Sequence, residues 1–300
     1  EIEPNDNQWE PGAISGWYQR IRGFKSAAER HSEPLKVIGS CWSPPWWMKV
    51  NEVEPCGVEA APSLSDTDCK LKVGMEDELA DFFVHWLQFM EDSTGMPVYA
   101  LSIQNEPAFS EPYNSCVYDG PRYRDVFNVV APHVRGEGYD VNFFAAEHMA
   151  WQFPNKFVNT LRNNSSAMQN IHAWAVHGYT DGVQTDTGAY QGSTPTDKVF
   201  WMSETSGGGY GSGLNDWNGA MNLANSILGY LRNQKLTAWT WWSLQDLCTS
   251  SGCEETFAGE YCLIINGSPT AKYYASSHFY RFIRPGARQI VSSVTFLTRE

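Results

Sequence analysis

The 300-residue sequence has no run of about 18 apolar residues, so it contains no candidate membrane-spanning helix. Neither C-x-x-C nor H-x-x-x-H spacing occurs, which leaves no zinc pattern. No G-x-S-x-G elbow is present, which weighs against Ser-centred hydrolysis, and no Gly-rich loop follows an early strand, which weighs against nucleotide binding. Internal repeats and low-complexity tracts are also missing. Cations are scarce: 21 Lys and Arg stand against 34 Asp and Glu, a formal charge of −13. Phosphate binding rests on clustered Lys and Arg, so nucleic acid is a poor partner and a neutral substrate a better one.

Aromatic residues are abundant, with 13 Trp, 14 Tyr and 15 Phe. Most aromatics fill cores in any protein, but Trp beside polar strand ends suits a sugar ring, whose apolar face an indole covers. Seven cysteines leave at least one unpaired within the chain. Cys56 with Cys69 and Cys248 with Cys253 lie in polar loop sequence, where local disulfides fit. Together with "NNSS" at 163–166 and "NGS" at 266–268, which permit glycosylation, they favour a secreted or extracellular protein.

Short, continuously apolar runs predict strands at 35–40, 98–103, 141–146, 171–176, 199–203 and 236–242. Continuous hydrophobicity marks strands covered on both faces, as in parallel sheets. Between them, Leu79, Phe82, Phe83, Trp86, Phe89 and Met90 recur at helical spacing over 77–93, and Gly95 stops that helix. A second helix is expected near 217–233, with Met221, Ala224, Ile227, Leu228 and Leu231 on its apolar face. A final helical pattern covers 272–283. This alternation predicts a parallel α/β fold, with a barrel preferred over an open sheet. A closed barrel needs eight strands, and only about six are legible.

In such barrels the carboxyl ends of the strands converge on the active site. The polar residues there are Trp42 and Ser43, Asn105 and Glu106, Glu147, His177 with Tyr179, Glu204, and Trp241 or Trp242. Glycosidic cleavage needs two carboxyl groups, one to protonate the leaving oxygen and one to attack the anomeric carbon or activate water. Glu106 and Glu204 fit these roles, Glu147 is a third candidate, and spacing does not choose among them. Most glutamates are surface or capping residues, and the bland alternative applies to each of the three. His177, with no second His at ligand spacing, reads as a hydrogen-bonded site or core residue, and Cys41 reads as packed rather than nucleophilic.

The motifs "CWSPPWWMKVN" (41–51), "YALSIQNEP" (99–107), "AVHGY" (175–179), "WMSET" (201–205), "AWTWWSL" (238–244) and "HFYRFIRPGARQI" (278–290) resemble glycoside hydrolase family 30 in order and approximate spacing. That family includes xylanases, β-1,6-glucanases and glucosylceramidases. The resemblance implies an α/β (β/α)8 TIM barrel and retaining chemistry, with Glu106 as acid/base and Glu204 as nucleophile. By the same match Asn105 holds a sugar hydroxyl, Trp42 and Trp242 line the innermost subsite, and His177 and Tyr179 flank Glu204. No metal or organic cofactor is implied, and the partner is a carbohydrate met by a monomer.

The expected arrangement over 1–300 is a single catalytic barrel domain without its first two βα units and without most of a β-sandwich side domain, which would begin at 285–300. The expected substrate is a plant or microbial wall polysaccharide, xylan or β-glucan. The loop "QDLCTSSGCEE" (245–255) lacks the basic residue that glucuronic acid recognition favours. The alternative is a noncatalytic carbohydrate-binding protein or inactive fragment with a Trp-lined cleft.

Overall fold

The computed structural model describes residues 15–32, 35–53, 56, 69–149, 157–179, 197–207, 213–246 and 257–290. The chain forms two compact units, Glu1–Gly178 with Gln191–Ser203 and Tyr179–Tyr190 with Glu204–Glu300.

The first unit runs α1 (Ser15–Arg30), β1 (Val37–Ser40), α2 (Glu76–Thr94), β2 (Val98–Ser102), α3 (Gly120–Gly136), β3 (Asn142–Met149), α4 (Asn159–Arg162), α5 (Ser165–Asn170), β4 (Ile171–His177) and β5 (Val199–Glu204). The last residue of β5, Glu204, already belongs to the second unit. Strands β1 to β5 are hydrogen-bonded neighbours in chain order. β1 pairs parallel with β2, β2 with β3 and β3 with β4. With β6 (Ala238–Trp239) in the second unit, six strands and the helices that precede or follow them give the α/β architecture of a partial (β/α)8 barrel.

The apolar runs bury as expected in β2, β3 and β4, whose side chains are covered on both faces. They do not in β1, where Ile38 is exposed and, among the described residues, only β2 lies beside the strand. Gly39 in β1 has a steric cause: a Cβ there would lie 2.5 Å from the Trp86 ring of α2. α2 buries Leu79, Phe83, Leu87 and Met90, one stripe at three and four residue steps. Its first turn carries Glu76, Asp77 and Glu78, which suit the positive helix N-terminus. Gly95 closes it at φ +63°, the left-handed conformation that glycine adopts without penalty. α3 begins where the Asp119 side chain accepts from the Arg122 N–H at 2.7 Å. Much of the aromatic load is core: Tyr123 meets Phe157 edge-on at 5.5 Å, and Phe127 meets Phe143 at 5.6 Å.

The second unit contains α6 (Trp217–Gly229), continued as a wider turn over Tyr230–Gln234, then β6, β7 (Gln245–Asp246), α7 (Phe257–Tyr261), β8 (Ile264–Ile265), β9 (Ser268–Pro269) and α8 (Ala271–Tyr280). The expected apolar face of α6 is corrected here. Met221 and Leu228 are exposed, and the buried stripe is Ala220, Leu223 and Ile227. α6 is apolar on more than one face, and it packs on α8 through small residues, Ala220 against Ala271 and Ala275. The strand expected over 236–242 contracts to two residues, and Trp241, beyond its end, is buried. Trp241 Nε1 donates to the Tyr261 carbonyl at 2.7 Å.

A small sheet of β7, β8 and β9 was not legible in the sequence. Its β8–β9 hairpin turns on Asn266 and Gly267, both at positive φ, which is the Asn-Gly two-residue turn. Cys56 and Cys69 form the expected disulfide, while Cys248 and Cys253 lie outside the described residues.

Candidate active site

In the first unit, the buried body of β2 runs straight into a buried polar tail: Gln104, Asn105 and Glu106 all lie inside. Backbone and side-chain bonds beyond the sheet ladder make this tolerable. Asn105 N–H donates to the Cys41 carbonyl at 2.6 Å and Glu106 N–H to the Glu147 carbonyl at 3.0 Å. Gln104 Nε2 donates to the Trp42 carbonyl at 2.7 Å. Glu106 at φ +43° and Glu147 at φ +54° both occupy the left-handed region, which costs a non-glycine residue about 1 kcal/mol or more. Such cost is sustained where surrounding bonds fix the backbone, as the Glu106 N–H to Glu147 carbonyl bond does here.

Glu106 is 5% exposed, and its Oε1 lies 2.7 Å from Nδ1 of the fully buried His177 at the end of β4. Burial pushes the Glu106 carboxyl up to about 7, against an ordinary value of 4.5. Such a group keeps a proton near neutrality and can deliver it. Asn105 Oδ1 is buried and has no hydrogen-bond partner among the described residues, so it is an acceptor waiting for a donor. The half-buried Trp42 ring packs against Tyr113 at 5.5 Å with a 43° tilt. Glu147 accepts from Ser40 Oγ and is buried inside β3. Cys41 is buried, and desolvation pushes its thiol up to about 12, so it supplies no thiolate nucleophile at neutral pH.

In the second unit, Tyr179 Oη donates to Glu204 Oε1 at 2.6 Å, which fixes the orientation of a half-buried carboxylate at the end of β5. Trp242 N–H donates to the Thr205 carbonyl at 3.0 Å, tying the residue after Glu204 to the chain beyond β6. The Trp242 ring is 38% exposed, whereas Trp241 is buried. Of the two tryptophans the sequence left undivided, Trp242 is therefore the one available to a ligand.

The structure thus brings Glu106 together with His177, and Glu204 together with Tyr179. Sequence reasoning missed Glu111 and Tyr113, both on the loop after β2. Glu111 is 3% exposed, and burial pushes its carboxyl up to about 8, with the neighbouring Glu106 carboxyl adding to the rise. A Glu between Ser110 and Pro112 in a polar loop carries no signal of burial. The residues of the 245–255 loop after Asp246 lie outside the described residues.

A family model for the glycosyl hydrolase family 30 TIM-barrel domain matches residues 17–284. An endo-1,6-beta-D-glucanase of Aspergillus fumigatus is 30% identical over 267 residues, covering 84% of this chain and 51% of that protein. A glucuronoxylanase of Bacillus subtilis is 22% identical over 276 residues, covering 91% of this chain and 57% of the other. The chain spans about half the length of the curated relatives it matches. Among solved structures, a family 30 subfamily 8 xylanase from Clostridium acetobutylicum has a TM-score of 0.70 at 20% identity, over 95% of this chain and 64% of that one. That likeness shows the fold.

Proposed function

Because the chain belongs to glycosyl hydrolase family 30, we propose that it is a retaining glycoside hydrolase acting on β-linked glycosides of a plant or microbial wall polysaccharide, xylan or β-glucan. The observation that carries this reading is the Glu106 carboxyl, buried at a strand end and held by burial at about 7. It is protonated over the acidic and near-neutral range, as the first step requires. In that step Glu106 gives its proton to the leaving oxygen, the anomeric C–O bond breaks, and Glu204 bonds to the anomeric carbon. In the second step Glu106 takes a proton from water, the water oxygen attacks the same carbon, and Glu204 leaves as a carboxylate.

The other residues position these two. His177 braces Glu106, and Tyr179 orients Glu204. Asn105 Oδ1 accepts from a sugar hydroxyl, which would satisfy a buried acceptor. Trp42 and Trp242 cover the apolar ring face in the innermost subsite. These steps use no metal or organic cofactor. In this reading the chain degrades polysaccharide as a monomer in a secreted or extracellular setting, and the Cys56–Cys69 disulfide supports that setting.

Incubation with xylan, β-1,6-glucan, β-1,3-glucan and aryl β-glycosides, with product anomers followed by proton NMR, tests the reading. Release of β-configured product supports double displacement, and product of inverted configuration refutes it. Glu204→Ala should reduce turnover roughly a thousandfold or more. Activity that survives this change removes Glu204 from the nucleophile role. Oligosaccharide binding without cleavage would make the chain a carbohydrate-binding protein instead.

A further inference from the structure

Lysine is almost never fully buried unless it is paired, yet Lys272 of α8 is 2% exposed. None of the steps above uses it. Its Nζ donates to the carbonyl of Gly259 and, at 2.9 Å, to that of Glu260. Both carbonyls lie near the carboxyl end of α7, where helix carbonyls lack intrahelical partners and a cation is favoured. The same ammonium lies 5.9 Å from the centroid of the Trp241 ring, within reach of the ring's negative face. A residue that merely filled this space would be apolar, because burying a charge costs free energy unless acceptors compensate it.

The next carbonyl along the chain completes the connection. The Tyr261 carbonyl accepts from Trp241 Nε1 at 2.7 Å and from Ser243 N–H at 2.7 Å. Leu263 N–H returns a bond to the Ser243 carbonyl at 3.1 Å. The residues on either side of Trp242 are thus held by one short segment, 261–263. Trp242 itself donates its N–H to the carbonyl of Thr205, the neighbour of Glu204, at 3.0 Å, and keeps its ring 38% exposed. We propose that Lys272 is a positioning residue: by holding the end of α7 against Trp241 it fixes the backbone that presents the Trp242 ring to the sugar. The role in turnover rests on the reading of Trp242 as part of the innermost subsite.

The titratable groups facing Lys272 are Cys262 after α7, Glu260 in α7 and Asp216 at the start of α6. Burial lowers the ammonium from 10.5 to about 8, and these three groups oppose the fall. The cation is therefore present below about 8 and is lost as pH rises through that value. A neutral amine still reaches the two carbonyls, but it gives up the ionic part of both bonds and its attraction to the ring. The brace loosens in mild alkali, and at no point does Lys272 exchange a proton with the sugar.

The full chain labelled with indole-15N tryptophan reports the brace by NMR, the Trp242 signal being assigned by its loss in Trp242→Phe. In the wild type that signal should move with a midpoint near 8, and it should still do so in Cys262→Ser but not in Lys272→Met. On an aryl β-glycoside, Lys272→Met should lower kcat/KM about tenfold, the scale of one hydrogen bond to a charged group. Combined with Trp242→Ala it should cost nothing further, because the brace acts only through that ring, whereas a general loss of packing would lower both backgrounds alike. A Trp242 signal that stays flat in the wild type between about pH 7 and 10 overturns the proposal, and this decides even if Lys272→Met does not fold. A Lys272→Met loss as large without the Trp242 ring as with it overturns the proposal too. If the signal follows Lys272 but Trp242→Ala cleaves as well as the wild type, the brace stands and the subsite role of Trp242 falls.

Discussion

Replacing Glu106 by Gln should make the first unit more stable than the wild type at pH 8, with the gain gone by pH 4. The folded-state value of this carboxyl is raised by burial from 4.5 to about 7. The stability it contributes is therefore fully present below 4.5 and is lost as pH rises through about 7, because the unfolded chain ionises first. At about 1.4 kcal/mol per pH unit, the wild type loses about 3 kcal/mol between these limits. Gln has the shape of the protonated acid and no charge to bury, so it escapes that loss. Urea unfolding followed by Trp fluorescence at pH 4 and pH 8 gives the two differences directly. Every carboxylate not coupled to position 106 cancels when the variant is compared with the wild type. Equal pH dependence in both proteins would show that Glu106 ionises as an ordinary carboxyl, and the acid role would lose its physical basis.

Tyr179→Phe removes the 2.6 Å bond to Glu204, and a hydrogen bond to a charged group contributes about 1.5–3 kcal/mol, so kcat/KM on an aryl glycoside should fall at least about tenfold. An unchanged value would mean that the bond is not used in turnover. Gly39→Ala places a methyl 2.5 Å from the Trp86 ring and should destabilise the first unit by about 1–3 kcal/mol, read as a lower urea midpoint with unchanged slope. A wild-type midpoint would show that the ring moves aside freely.

How far the sequence could be read depended on how local the cause was. β2, β3 and β4 were legible because a strand buried on both faces writes an unbroken apolar run, and α2 because one stripe and a terminal glycine mark it. α6 misled because its apolar residues lie on more than one face, and only the alanines of α8 select Ala220, Leu223 and Ile227 over Met221 and Leu228. β6 misled because aromatic residues beyond the end of a strand look the same in sequence as aromatic residues within it. For Glu106 and Glu204, the abrupt change from apolar to polar at a strand end gave position, and the roles proposed for them rest on the family motifs.

By itself, then, the sequence determined the succession of βα elements and the places where polar side chains emerge from buried strands, since both follow from hydrophobic pattern along the chain. Only the tertiary structure decided which groups share a hydrogen bond. His177 stands 71 residues after Glu106 and Tyr179 stands 25 before Glu204. Glu111 is drawn inside by a loop held through Cys56 and Ser115. Burial and partner choice are properties of packing in space, and they decide whether a carboxyl keeps its proton near neutrality or gives it up to water.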